Sequence, residues 1–220
     1  MRGDPSKKQI AIVFTGDLYG EGGQVIANSL RKLQIKASFF LTGNFYRNPA
    51  FENLIKTLKR DGHYLGPHSD GHLLYCSWTN RDSILVSKTE FERDLISNYK
   101  AMEKFGVKMK HAKFFIPPYE WYNDTITEWT KALGVTLVNF TPGTRSTSDY
   151  TTPDLKNYRS SEEIMQSIKN QGDDLNGFIL LLHIGTDPKR TDKVYNRLTE
   201  LIEFLRSKNY NLVPVDALLD

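Results

Sequence analysis

The chain has 220 residues, and its 29 basic and 26 acidic side chains leave a formal net charge of +3. This mild, mixed charge argues against a nucleic-acid-binding protein, and no apolar run approaches the roughly 18 residues of a membrane span. The single cysteine, Cys76, excludes an internal disulfide, and the length predicts one domain.

The amino terminus, MRGDPSKK, lacks the apolar segment of a signal peptide. A strand pattern begins directly after it, so residues 1–8 are predicted to be a flexible segment and residues 9–220 a single domain. An exported protein of this sequence would be a mature or excised form. The abrupt start also allows the domain to be a module of a larger polypeptide.

Runs of apolar, β-branched and aromatic residues predict strands. In chain order these strands cover Ile10–Thr15, Ala37–Leu41, Tyr64–Gly66, Lys113–Ile116, Val135–Phe140, Gly177–His183 and Tyr210–Val215. Apolar residues at helical spacing predict helices over Val25–Leu33, Pro49–Arg60, Thr89–Phe105, Thr125–Leu133, Ser161–Lys169 and Asp192–Arg206. Ser160 and the acidic residues after it form a capping-box pattern at the start of one of these helices.

The alternation of strands and helices predicts βαβ units and a parallel sheet. At this length, a closed or nearly closed α/β barrel is favoured over an open sheet. Two long loops, Leu73–Lys88 and Thr141–Ser160, are candidate walls of a substrate site, because long loops in compact α/β domains are often functional.

Three polar residues suit a metal ion at the carboxyl ends of the predicted strands, where parallel α/β folds place their sites. Asp17 follows the first strand, and His68 and His72 follow the third within HSDGH. The spacing of four predicts that both histidines lie on one face of a helix and reach one ion. Two imidazoles and one carboxylate are the donor set of a catalytic divalent site. The alternative is a surface helix with two solvated histidines.

His183 ends the very apolar strand FILLLH, where a general acid that protonates a leaving group would stand. A core histidine bonded to backbone is the alternative. Pro118 stiffens the loop FFIPPYEWYN that leaves the fourth strand. The aromatic candidates for stacking on a sugar ring, which equally suit a core, are Tyr119, Trp121, Tyr122, Trp78 and Tyr75.

These segments together resemble the polysaccharide deacetylases with a NodB-homology domain, carbohydrate esterase family four. The family motif TFDDG corresponds to FTGDL at Phe14–Leu18, and its H-S/T-x-x-H motif to HSDGH. Its RxPY-like motif corresponds to IPPY at Ile116–Tyr119, and its Leu…His strand end to LLLH at His183. A looser fourth motif is echoed by Asp149–Tyr150. The resemblance covers nearly the whole chain and implies an α/β fold, a distorted (β/α)7 barrel.

By this resemblance, Asp17, His68 and His72 bind a divalent metal, usually zinc, although the donor set also suits cobalt, nickel or manganese. In the family the metal polarises an acetyl carbonyl and activates a water, and a histidine matching His183 acts as general acid. The resemblance also implies a carbohydrate substrate and a secreted, periplasmic or cell-surface location.

The chain departs from the family pattern at the catalytic base and at the arginine that holds this base. Gly16 and Ile116 stand at these two positions. An arginine without its carboxylate would be a poorly compensated charge, so the paired replacement indicates an organised alternative site. Glu120 is the first candidate for a substitute base, Asp149 is another, and Asp70 ranks lower. The alternative for Glu120 is a rim residue that binds sugar hydroxyls.

Three functions follow from these residues. The favoured one is a metal-dependent deacetylase or acetyl esterase with a replaced or absent base, since general base assistance is worth only roughly 10²–10⁴-fold. The second is a catalytically inactive carbohydrate-binding descendant of the same fold. The third is a hydrolase of non-carbohydrate amides, which the aromatic-rich loops make less favoured.

Overall fold

Seven short parallel strands form the centre of the molecule in the computed structural model, which describes residues 1–220. They are β1 (Gln9–Gly16), β2 (Ser38–Leu41), β3 (Tyr64–Pro67), β4 (Phe114–Phe115), β5 (Thr136–Leu137), β6 (Phe178–His183) and β7 (Asn211–Leu212). Each lies within or next to one of the predicted apolar runs. The distorted α/β barrel expected from the sequence is therefore confirmed.

Helices connect the strands and pack around them. They are α1 (Gly23–Leu33), α2 (Gly43–Arg47), α3 (Glu52–Arg60), α4 (Lys88–Glu103), α5 (Asp124–Ala132), α6 (Ser161–Lys169), α7 (Leu198–Ser207) and α8 (Val215–Leu219). The capping box at Ser160 is confirmed at the start of α6. The short helices α2 and α8 were not predicted, because five residues hold too little periodicity to recognise. The last long helix begins at Leu198 rather than Asp192, since a 3₁₀ turn, Val194–Arg197, precedes it.

The sheet order explains why the barrel is distorted. Four strands pair in the order β3-β2-β1-β6, β7 pairs with the first residues of β1, and β4 pairs only with β5. Single backbone hydrogen bonds join the two sheets, from the N–H of Ile116 to the Pro67 carbonyl (3.4 Å) and from the N–H of Thr141 to the Ile179 carbonyl (3.0 Å). The strands thus curve into a barrel whose ladders are incomplete.

Alternation along β1 assigns its side chains to two layers. Ile10, Ile12 and Phe14 pack in the main core between strands and helices, whereas Ala11 and Val13 pack in a smaller cluster inside the barrel. This inward series ends at the carboxyl edge of the sheet. Polar side chains that continue it therefore emerge at the top of the barrel interior.

The amino-terminal segment 1–8, predicted to be flexible, lies along the opposite end of the barrel in the structure. The N–H of Gly3 donates to the Gly177 carbonyl (2.7 Å), and Arg2 donates to the Asn176 carbonyl (2.5 Å). None of the helices is both long and apolar enough to cross a membrane.

Candidate active site

A cavity of about 600 Å³ opens at the carboxyl ends of the strands, where the sequence predicted the site. Three predicted metal ligands, Asp17, His68 and His72, line it together with His183 and Glu120. Both long loops contribute to its walls, through Trp78 from the first and through Tyr150, Thr152 and Leu155 from the second. Residues far apart in the chain thus meet in one concave surface.

The HSDGH segment is a turn, and the predicted helix is absent. Ser69 and His72 both have positive φ (72° and 56°), and the Ser69 hydroxyl accepts a hydrogen bond from the N–H of His72 (2.9 Å). This fold of the backbone brings the two imidazole rings within 5.1 Å, centroid to centroid. The expected proximity of the histidines therefore arises from a strained turn instead of from helical spacing.

Two buried polar residues of α4, one helical turn apart, hold this turn in place. The side-chain oxygen of Asn98 accepts from the N–H of His68 (2.9 Å), and its amide donates to the Leu41 carbonyl (3.2 Å). Asp94 accepts from the N–H of Gly71 (3.0 Å) and from the hydroxyl of Tyr75 (2.6 Å). The sequence carried a signal for these residues that was missed, namely polar side chains inside the apolar stripe of a helix.

The tautomer of His68 follows from its hydrogen bond. Its Nδ1–H donates to the Ile116 carbonyl (2.7 Å), so the lone pair is on Nε2. Burial, followed by the neighbouring His72, lowers the pKa of His68 well below its usual value. Burial also lowers the pKa of His72, more than nearby Asp17 raises it. Both imidazoles are therefore neutral at pH 7, which is the form that binds a metal.

Asp17 is oriented by two side chains at the end of β2. Its Oδ1 accepts from the hydroxyl of Thr42 (2.8 Å) and from the amide of Asn44 (3.1 Å). One carboxylate and two neutral imidazoles fit the chemistry of a divalent ion. No three His, Cys, Asp or Glu side chains of the protein are, however, gathered around a common point at metal-binding distance. The chemical types of the three donors suit a metal ion, whereas their positions in this structure do not converge on one point.

His183, at the end of β6, is held by the buried carboxylate of Asp149. Its Nδ1–H donates to Oδ1 of Asp149 (2.6 Å), and its backbone N–H donates to Oδ2 (2.8 Å). Burial lowers the pKa of His183, but the charge and hydrogen bond of Asp149, with a contribution from Glu120, raise it above its usual value. Asp149, proposed from sequence as a substitute base, does not line the cavity and is engaged with His183.

Tyr119 and Glu120 occupy a strained turn after β4. Both have positive φ (60° and 54°), which is costly for residues other than glycine and is typical of functional sites. No protein group donates a hydrogen bond to the Glu120 carboxylate. Burial raises the pKa of Glu120 to about 7, with Asp149 adding to this rise and His183 opposing it. Glu120 is therefore a carboxyl group that titrates near neutrality inside the cavity.

The aromatic candidates divide into lining and supporting residues. Trp78 (55% exposed) and Tyr119 (44% exposed) line the cavity and meet edge to face at 5.5 Å. Trp121 lies behind Trp78, with its indole N–H bonded to the Ser77 carbonyl (3.2 Å). Three further candidates also lie outside the lining, namely Pro118 and Tyr75, which are buried, and Tyr122.

Apolar side chains fill the space beside Gly16. A Cβ atom placed there would lie 2.5 Å from Ile184, 3.0 Å from Leu41 and 3.2 Å from Phe45. Ile116 is fully buried in the cluster inside the barrel. The positions of the family base and its arginine are therefore both integrated into hydrocarbon packing.

Thr15 is a cavity residue that the sequence analysis missed. It pairs in register with His183 across β1 and β6, so both side chains lie on the inner face of the sheet. Its hydroxyl is buried and has no hydrogen-bond partner. Other missed lining residues directly follow predicted site residues at strand ends, namely Leu18, Tyr19, Gly185, Thr186 and Asp187.

Comparison with known proteins agrees with this geometry. The family described as polysaccharide deacetylase matches residues 2–138. A peptidoglycan-N-acetylglucosamine deacetylase of Bacillus cereus is 26% identical over 97% of this chain and 89% of its own length. The uncharacterised protein YlxY of Bacillus subtilis is 28% identical over the whole of this chain. This chain spans only 60% of the length of YlxY.

Solved structures share the fold at lower identity. A peptidoglycan N-acetylglucosamine deacetylase superposes with a TM-score of 0.80 at 20% identity, covering 100% of this chain and 91% of that one. A family 4 carbohydrate esterase pseudoenzyme from Bacillus anthracis superposes with a TM-score of 0.76 at 20% identity, covering 100% of this chain and 68% of the pseudoenzyme chain. A mutant of that pseudoenzyme has restored enzymatic activity. Because the polysaccharide deacetylase family matches residues 2–138, which is more than half of the sequence, this chain belongs to that family.

Proposed function

We propose that this protein is a metal-dependent hydrolase that removes N- or O-linked acetyl groups from a carbohydrate. The observation that carries the proposal is the meeting, in one cavity, of Asp17, His68 and His72 with a histidine that Asp149 orients. A divalent ion, with zinc as first choice and cobalt, nickel or manganese as alternatives, would be held by the first three residues. When bound, it would supply Lewis-acid polarisation of the acetyl carbonyl and of a water.

His183 is the general acid in this proposal. Because its Nδ1–H is committed to Asp149, only Nε2 faces other partners. The raised pKa of His183 favours the protonated ring at pH 7. As water oxygen bonds to the acetyl carbon and the bond from this carbon to the sugar nitrogen or oxygen breaks, Nε2–H protonates the departing atom.

Glu120 is the proposed base. With a pKa raised to about 7 by burial, it is partly ionised at neutral pH and is well matched to accept a proton from water. Its carboxylate has no other protein partner, and the strained backbone at Tyr119 and Glu120 supports a functional placement. Trp78 and Tyr119 offer exposed ring faces on which a sugar can stack.

Acetate release tests the proposal directly. We expect the protein supplied with zinc, cobalt, nickel or manganese to release acetate from N-acetylchitooligosaccharides or from O-acetylated xylan. We also expect Asp17→Ala and His72→Ala to abolish it. His111→Ala, which changes an exposed histidine outside the cavity, is the matched control. Acetate release that survives His72→Ala at saturating metal contradicts the proposal.

The second candidate is a binding protein without turnover, and the apolar packing at Gly16 and Ile116 favours it. It predicts that the same oligosaccharides bind and quench tryptophan fluorescence, while no acetate appears at any metal concentration. We further propose, from its family, a secreted or cell-surface location. The length of YlxY also supports a place as one module of a larger polypeptide.

A further inference from the structure

The cavity carries an unbalanced set of charges. Its 17 lining residues include three carboxylates, Asp17, Glu120 and Asp187, and no lysine or arginine. The chain as a whole has more basic than acidic residues. The absence of cations from the lining is therefore a local property of the cavity, and the overall composition does not explain it.

Two cations that follow Asp187 in the chain, Lys193 and Arg190, are engaged by other groups. The ammonium of Lys193 donates to Glu21 (3.0 Å), to the Thr186 hydroxyl (2.8 Å) and to the carbonyls of Thr186 and Asp187 (both 3.0 Å). Arg190 is fully buried and donates to the Thr151 carbonyl (2.7 Å). Lys193 therefore touches the lining only at Thr186 and at the Asp187 backbone, where Glu21 balances its charge. Lys156 and Lys189, which are exposed and close in the chain to Leu155 and Asp187, do not belong to the lining.

Asp187 keeps a free oxygen at the rim. Its Oδ1 accepts from the N–H of Lys189 (2.8 Å), whereas no protein group donates to Oδ2. The hydroxyl-bearing residues Thr152 and Thr186 line the same cavity. A carboxylate oxygen with neighbouring hydroxyls accepts hydrogen bonds from sugar hydroxyls or from an ammonium group, and it repels an anion.

From these contacts we infer that the cavity selects neutral or amine-bearing glycans over carboxylate-bearing ones, with Asp187 as a specificity-determining residue. The inference rests on the proposed function, because it assumes a glycan in this cavity. A bound divalent ion would not reverse the selection. Its two charges would be opposed by Asp17, Asp187 and the ionised fraction of Glu120, while His183 and Asp149 pair with each other.

The test compares oligosaccharides that share the N-acetylglucosamine unit and differ in charge. These are tetra-N-acetylchitotetraose, a partly deacetylated chitotetraose and a hyaluronan tetrasaccharide, whose uronic acids carry carboxylates. Acetate release and quenching of tryptophan fluorescence are measured for each. We expect kcat/KM and affinity for hyaluronan to be at least about tenfold lower than for chitotetraose, since like charges in a cleft repel over several ångströms. Added salt should narrow this ratio.

Asp187→Asn is the decisive variant, because asparagine keeps the acceptor for the N–H of Lys189 and loses the charge. We expect this variant to lower, several-fold, the ratio of kcat/KM for chitotetraose to kcat/KM for hyaluronan, and the corresponding ratio of affinities. Glu203→Gln, which removes an exposed charge on α7, should leave the ratio unchanged. Binding without acetate release, with the ratio preserved, retains this inference and rejects the proposed function.

Three outcomes overturn the inference. The first is equal or better use of hyaluronan while acetate is released, which leaves the proposed function standing. The second is an unchanged ratio in Asp187→Asn. The third, neither binding nor release with any of the three oligosaccharides, overturns the inference and the proposed function together.

Discussion

Two adjoining strand ends of the same cavity differ in how they treat polar chemistry. At the end of β6, His183 and Asp149 form a buried pair with hydrogen bonds of 2.6 and 2.8 Å, and we call this side the polar wall. At the end of the paired strand β1, Gly16 faces Ile184, Leu41 and Phe45, and we call this side the apolar wall. A buried ionisable pair is costly unless each partner is satisfied, so its retention alongside the apolar replacement of the base is informative. In the proposed function, this contrast corresponds to a proton donor at its family position and to a proton acceptor that is replaced or absent.

His183→Ala tests the polar wall and has the largest expected effect. If His183 protonates the leaving atom, kcat should fall by roughly 10²–10⁴-fold with little change in metal content. Asp149→Asn should lower kcat less, because it keeps a hydrogen-bond acceptor while removing the charge that favours the imidazolium. Steady-state acetate release and metal analysis measure both. An unchanged kcat in His183→Ala would mean that the pair is structural.

Glu120→Gln tests whether proton acceptance moved to the turn after β4. A base must be ionised, so kcat/KM of the wild type should rise with pH through about 7, and this acidic limb should vanish in the variant with a loss of roughly 10²-fold. The pH profile of acetate release decides the point. An acidic limb that persists in Glu120→Gln would show that a group other than Glu120 accepts the proton.

Stability provides a separate measure of the same carboxyl group. Because burial raises the pKa of Glu120 in the folded state, its ionisation opposes folding, and stability is lost as pH rises from about 4.5 to about 7. In urea unfolding, Glu120→Gln should therefore have a higher free energy of unfolding than the wild type above pH 7. Below pH 4.5 the two proteins should differ little. Equal pH dependence in the two proteins would show that the carboxyl group is not desolvated.

Asn98→Ala extends the comparison to a residue that supports His68, one of the proposed metal ligands. The change leaves the N–H of His68 and the Leu41 carbonyl without partners, and zinc affinity should fall roughly 10–100-fold, as for other residues that orient metal ligands. Competition with a zinc-binding dye measures the affinity. Asn170→Ala, at the end of α6, is the control. Unchanged affinity would show that the turn holds its shape without α4.

Gly16→Ala probes the apolar wall and has the smallest effect. The new Cβ would lie 2.5 Å from Ile184, so we expect a loss of about 1–3 kcal/mol in unfolding free energy. Ile184→Ala in the same chain should recover part of it, which a double-mutant cycle would show. Gly71→Ala meets its nearest atoms only at 3.7 Å and serves as control. A neutral Gly16→Ala would show that the wall adapts to an added side-chain atom.

The sequence by itself determined the fold class, the strand positions and the rim location of the predicted metal ligands. Period-two apolar patterns identify strands locally, and parallel βαβ topology places every strand end at one edge. Asp17, His68 and His183 could be selected on this basis because each stands at the end of an apolar run, and His72 could be selected by its spacing from His68.

Only the tertiary structure decided which candidates share the cavity. The left-handed backbone of HSDGH, the pairing of Asp149 with His183, and the exclusion of Pro118 and Trp121 all depend on contacts between distant segments. The filling of the space beside Gly16 likewise involves Ile184, from another strand end. Local patterns cannot encode such contacts, since burial and hydrogen-bond partners are set by how the segments pack.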